Sequence, residues 1–250
     1  MRPELPPIHE IWVYLAGSPL FALVLTLGAY ALGLAVYERT QRNPLANPVL
    51  IAVVLVAAGL ALAGMPYQRY FEGAQFVHFL LGTATVSLAI PIYKGWASVK
   101  GRLGALTLAM AAGGATSIAV AVGVLKALGA DEALVRGMWA KSVTAPIAMG
   151  IAERVQASPT LTAIFAVSTG VLGAVLGRFV LNLAGVTAWW QRGFALGVAA
   201  HGIGTSRAFS VHPVAGAYAS LGMGLHGVVS AVVLPVVLPM LVPVMLMHLG

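Results

Sequence analysis

Eight apolar stretches, separated by charged or Pro/Gly-rich joints, make up most of this 250-residue chain. They run over residues 11–37, 49–65, 76–93, 103–128, 138–151, 161–186, 194–209 and 214–249. A helix needs about 20 apolar residues to cross the hydrocarbon core of a bilayer. At roughly 25–30 residues per span with its joint, the length predicts an all-α polytopic membrane protein with about 8–10 transmembrane segments, residues 1–250 forming one domain. The last stretch has room for one tilted span or for two shorter pieces. Pro235, Pro239 and Pro243 recur there every four residues. That spacing predicts kinks on one side of a helix whose neighbours satisfy the freed carbonyls.

Composition agrees with this pattern. Hydrophobic residues make up 60% of the chain and charged ones 8%, against about a quarter charged in a soluble domain. Fourteen Lys and Arg oppose seven Asp and Glu, and no basic cluster is interleaved with exposed aromatics as nucleic-acid binding requires. The charges fit short loops that orient the chain. Arg39, Arg42, Lys94, Lys100 and Arg102 fall on one side if the first three stretches cross, which predicts that side to be cytoplasmic and the N-terminus outside. There are no cysteines, so disulfides and Cys metal sites are excluded. The first ten residues lack the pattern of a cleaved signal peptide. Histidine spacing suggests no metal site, and Glu153 is the only acid after Glu132. No cofactor and no enzyme chemistry are expected.

Polar residues inside membrane-grade sequence are costly and mark functional sites. Three segments qualify. Gly82-Thr-Ala-Thr-Val-Ser87 with Pro91 predicts a helix break whose second half presents amides beside Thr83 and Thr85. The plainer alternative is a close-packed helix interface built from small residues. In Lys141-Ser-Val-Thr-Ala-Pro146, Pro146 suits the first turn of a new helix over 147–152, with Ser142 or Thr144 near its cap. Ammonium, hydroxyls and a helix N-terminus together suit a carboxylate. The alternative there is a snorkelling Lys141 and an ordinary kink. His201-Gly-Ile-Gly-Thr-Ser-Arg207 combines helix-weakening Gly202 and Gly204 with Thr205, Ser206 and two cations. Arg207 offers a fork that matches a carboxylate, and His201 offers a proton carrier or second anion contact.

The halves look related. Gly82-Thr83 precedes Pro91 by the spacing that separates Gly204-Thr205 from Pro213, at a shift of 122 residues. The shift pairs the second stretch with the sixth and the fourth with the last. Residues 1–128 and 129–250 are therefore expected to be two repeats. Paired Gly/Pro-interrupted segments point to a transporter's midplane site, and Thr85 takes the place that Arg207 holds in the second copy.

The polar blocks also resemble a known family. Lys141-Ser-Val-Thr-Ala-Pro-Ile-Ala148, His201-Gly-Ile-Gly-Thr-Ser-Arg-Ala208 and Ala219-Ser-Leu-Gly-Met-Gly-Leu-His-Gly227 are similar to signature blocks of the LrgB/CidB membrane proteins, as are residues 18–26 and 80–93. The chain departs from the family pattern at Thr83, Ala145, Gly150 and Arg154-Val-Gln-Ala157. The resemblance implies a multi-pass protein of the bacterial inner membrane. It further implies a secondary transporter of small monocarboxylates such as glycolate, glycerate or pyruvate, coupled to H+ or Na+. On that reading Arg207 binds the carboxylate, with Thr205, Ser206, Ser142, Thr144, Thr83 and Thr85 adding polar contacts. His201 and Lys141 supply a proton or a secondary anion contact. The alternative it implies is a non-transporting, antiholin-like regulator of murein hydrolase activity and lysis. A smaller LrgA/CidA-like membrane partner and a homo-oligomer belong to the same expectation.

Overall fold

Proline has no amide hydrogen to leave unpaired, and its fixed φ suits a first helical turn. This chain uses it as a helix starter. A computed structural model describes residues 19–87, 90, 93 and 100–247. Its helices are α1 (Pro19–Arg39), α2 (Pro48–Leu62), α3 (Tyr67–Ser87), α4 (Leu103–Ala127), α5 (Glu132–Gly137), α6 (Ala145–Arg154), α7 (Pro159–Leu183), α8 (Trp189–Val211) and α9 (Pro213–Met247). Proline opens α1, α2, α7 and α9. Side chains close two of these starts: Asn47 Oδ1 accepts from the amides of Val49 and Leu50, and Ser158 Oγ from that of Leu161. Such caps satisfy amides that the first turn leaves orphaned.

Among the described residues there is no strand, and α1, α4, α7 and α9 are long and apolar enough to cross a membrane. The protein is an all-α, multi-pass membrane protein. The chain forms two compact units that divide between Ser87 and Leu88. In the first, α1 packs on α2 and α3, and Thr26 and Tyr70 share a hydroxyl hydrogen bond of 2.7 Å. Here α3 is continuous through Gly82 to Ser87, which corrects the break expected at Gly82. One glycine costs a helix only about 1 kcal/mol. Pro91, the other half of that signal, lies outside the described residues.

In the second unit, side chains pack at two levels along the long helices. Late α4 (Val122), Val135, Trp139, Val143, Ile151, early α7 (Ala166) and late α9 (Leu238) form one core. Early α4 (Leu106, Met110), early α8 (Phe194, Val198) and early α9 (Tyr218, Leu221) form the other. Between α5 and α6 the chain is irregular but buried, with Trp139, Ala140, Ser142 and Val143 almost wholly covered. Pro146 sits in the first turn of α6 and Thr144 is its N-cap residue, as its sequence predicts. With 10 residues, α6 reaches about 15 Å. This segment therefore enters from the end of α4, turns at depth, and returns to the same end.

The helix α8 departs most from its sequence pattern. His201 has φ 41° and ψ −130° and separates two helical halves. A straight helix of 23 residues would hold its ends about 34 Å apart, yet Trp189 and His212 stack with ring centroids 4.9 Å apart. A Cβ on Gly204 would lie 2.5 Å from the Leu196 carbonyl oxygen. The halves, residues 189–200 and 202–211, thus fold back on each other as a hairpin. Each is about 15–18 Å long, half of a roughly 30 Å hydrocarbon core. The stretch 194–209 is not a crossing but a re-entrant pair. Its break falls at His201, one residue before Gly202. Gly204 is helical, and its missing side chain is what admits the preceding half.

Candidate functional site

Three contacts fix the depth of the polar residues. Lys141 Nζ donates to Ser117 Oγ at 2.7 Å, and Ser117 lies near the middle of α4. The ring of His201 fills the space over Gly170, near the middle of α7, where a Cβ would come within 2.7 Å of Cε1. His226, halfway along the apolar span Pro213–Met240, does the same over Gly114 at 2.8 Å. Two re-entrant segments from opposite ends therefore bring their tips to mid-span.

The tip before α6 forms a tight cluster. Ser117 and Ser142 hydroxyls lie 2.9 Å apart, and Lys141 Nζ reaches Ser142 Oγ at 3.4 Å. Lys141 is half-buried and Ser142 buried. Among the described residues the one ion pair is Arg136 with Glu132, so no carboxylate there neutralises Lys141. A half-buried ammonium is costly without a charge partner. The hydroxyl pair faces a cavity of about 460 Å³ bounded by Gly114, Phe194, Val198 and Ala199. Ser117 and Lys141 face a second groove, of about 500 Å³, between α7 and α8.

The tip of α8 is held by its own side chains. His201 is 4% exposed, and its Nε2 lies 2.8 Å from the Ala166 carbonyl oxygen. A carbonyl only accepts, so the ring proton is on Nε2 and the outer lone pair on Nδ1. Thr205 Oγ1 donates to the His201 carbonyl at 2.7 Å, bracing the break from one turn on.

The remaining expected residues separate. Thr144 makes no side-chain cap bond. Ser206 is exposed. Arg207 lies not with Lys141 but in a cavity of about 500 Å³ beside Arg178, Asn182, Trp189 and Arg192. Thr83, in the other unit, is exposed and donates to the Leu80 carbonyl at 2.8 Å; Thr85 belongs to α3.

Set against known proteins, the LrgB-like family profile matches residues 26–240. The chain belongs to the LrgB-like family. It is 28% identical to the holin-like protein CidB of Staphylococcus epidermidis over 85% of this chain and 92% of that one. With the antiholin-like protein LrgB of Bacillus mycoides it shares 30% over 87% and 94%, and with the uncharacterized YwbG of Bacillus subtilis 33% over 81% and 89%. No solved structure matches. The holin-like and antiholin-like names point to non-enzymatic membrane proteins, and the family together with the membrane-length helices makes this chain a multi-pass protein of the bacterial cytoplasmic membrane.

Within this LrgB-like chain, sequence reasoning missed Ser117. Its signal was available: it stands in Gly113-Gly-Ala-Thr-Ser117 at the centre of a stretch long enough to span. His226, singled out in the sequence only through the Ala219–Gly227 block, packs over Gly114 of the unbroken helix α4. Arg192 was missed because a single arginine beside Trp189-Trp190 reads as an interfacial anchor.

Proposed function

We propose that this protein is a secondary transporter of small monocarboxylates such as glycolate, glycerate or pyruvate, and that its substrate carboxylate binds at Lys141. The observation that carries this reading is the Lys141–Ser117–Ser142 cluster, a cation with two hydroxyls at mid-span and no carboxylate partner among the described residues. A carboxylate supplies the missing charge, and the hydroxyls direct its oxygens. The start of α6 adds the positive end of a short helix. His201 holds the facing tip, and a proton taken up at its Nδ1 adds a second positive charge. Two re-entrant tips entering from opposite ends suit alternating access, because each can open its own side. The 122-residue offset recurs in the starts of α3 at Tyr67 and α8 at Trp189, which supports descent from a duplicated half.

Proteoliposomes carrying the wild-type protein are expected to accumulate labelled glycolate, and Lys141→Ala to lose most of that uptake. Equal uptake by both would remove the role given to Lys141. A second reading rests on the relatives' names: an antiholin-like regulator of lysis that assembles with a smaller membrane partner. It predicts that lysis control survives Lys141→Ala and fails when lipid-facing residues are changed.

A further inference from the structure

The cavity holding Arg207 has chemistry that a monocarboxylate site does not need. Arg178 comes from the end of α7, Arg192 from the start of α8, and Arg207 from its returning half, with Asn182 beside them. Among the described residues no acid lines this cavity. Arg192 is pinned, its Nη1 donating to the Val186 carbonyl at 2.6 Å and its guanidinium lying 5.8 Å from the Trp189 ring centre. Three arginines and Asn182 line one space, a donor set suited to the several oxygens of a phosphate group rather than to the two of a carboxylate.

Trp189, stacked on His212, and Trp190, 5.1 Å from the Arg102 guanidinium, mark this end of the unit as a membrane interface. The described charges at this end are Lys100, Arg102, Arg178, Arg192 and Arg207. The opposite end mixes Lys126, Arg136 and Arg154 with Asp131, Glu132 and Glu153. By the positive-inside rule the arginine end faces the cytoplasm, where anionic lipids attract basic residues. The cavity also shares Leu181 and Leu196 with the apolar groove between α7 and α8, along which Leu172, Leu176 and Val180 are 57%, 47% and 60% exposed. A charged head and an apolar tail are both provided for.

We infer that this cavity binds the phosphate headgroup of an anionic phospholipid, with one acyl chain lying in the α7–α8 groove. The arginine cavity is distinct from the Lys141–Ser117–Ser142 cluster, although the groove that takes the acyl chain is the one Ser117 and Lys141 also line. The headgroup assignment does not depend on the transport reading.

The test is thermal stabilisation of the purified full chain in detergent by added phosphatidylglycerol, with phosphatidylcholine and inorganic phosphate as parallel probes. Phosphatidylglycerol is expected to raise the melting temperature, and the other two are not. Arg178→Gln, at an exposed position with no described partner to lose, lowers the apparent phosphatidylglycerol affinity about fivefold. Arg178→Lys keeps part of it. Equal stabilisation by phosphatidylcholine, or by phosphate alone, overturns the lipid assignment. An unchanged phosphatidylglycerol response in Arg178→Gln overturns the location. Glycolate stabilisation, measured on the same samples, is unaffected by Arg178→Gln.

Discussion

At nearly every helical position alanine is more stable than glycine, by roughly 0.5–1 kcal/mol. At position 201 the order reverses. His201 has φ 41° and ψ −130°, a region that L side chains occupy at a cost of order 1–3 kcal/mol. Both His201→Ala and His201→Gly lose the hydrogen bond to the Ala166 carbonyl, a loss of about 0.5–1.5 kcal/mol common to the two. Only glycine relieves the backbone. After subtracting glycine's greater freedom in the unfolded chain, His201→Gly is expected to be more stable than His201→Ala by about 1–2 kcal/mol. For a chain of this size each kcal/mol moves the melting temperature by about 2–4 °C. Detergent thermal unfolding of the two variants side by side reads the difference directly. If His201→Ala melts at the same temperature or higher, α8 is not reversed at His201 and the re-entrant hairpin is wrong. The account also expects His201→Gly to transport poorly, because the strained histidine serves the site rather than stability.

The reversal has a second signature. Because the native chain has no cysteine, the pair Trp189→Cys and His212→Cys can be joined by a short bis-maleimide, seen as a mobility shift after proteolysis between them. A straight helix about 34 Å long would prevent it. Gly170→Ala places a Cβ 2.7 Å from His201 Cε1 and 2.9 Å from Ile203 Cδ1. It is expected to cost about 1–3 kcal/mol and to weaken glycolate uptake; unaltered stability and uptake would show that the ring does not rest there.

The helices were largely legible because apolar length and proline placement are local signals. The starts at Pro48, Pro159 and Pro213 follow from what proline can and cannot do in a first turn. The break in α8 was legible as a cluster of glycines with polar neighbours, but its location was not. Histidine is not a residue that local rules assign to φ 41°; the contacts with Ala166 and Gly170 and the brace from Thr205 hold it there. The reversal was hidden for another reason: two half-helices of apolar residues have the same composition as one span. The same limit separated Arg207 from Ser142. Read along a single crossing, Arg207 is about 1.7 turns beyond His201 and inside the membrane. Once the second half turns back, those residues carry it toward Trp189 and the interface. Ser117 joined the site by distance in space, across 24 residues from Lys141.

The central claim is that a monocarboxylate binds the folded protein at Lys141. Thermal unfolding of the purified wild type and of Lys141→Met, each titrated with glycolate and pyruvate, tests it most directly. The account predicts saturable stabilisation of the wild type, about 2.7 kcal/mol at a hundredfold excess over Kd, and none in Lys141→Met. Equal stabilisation of both proteins, or of neither by either acid, would contradict it.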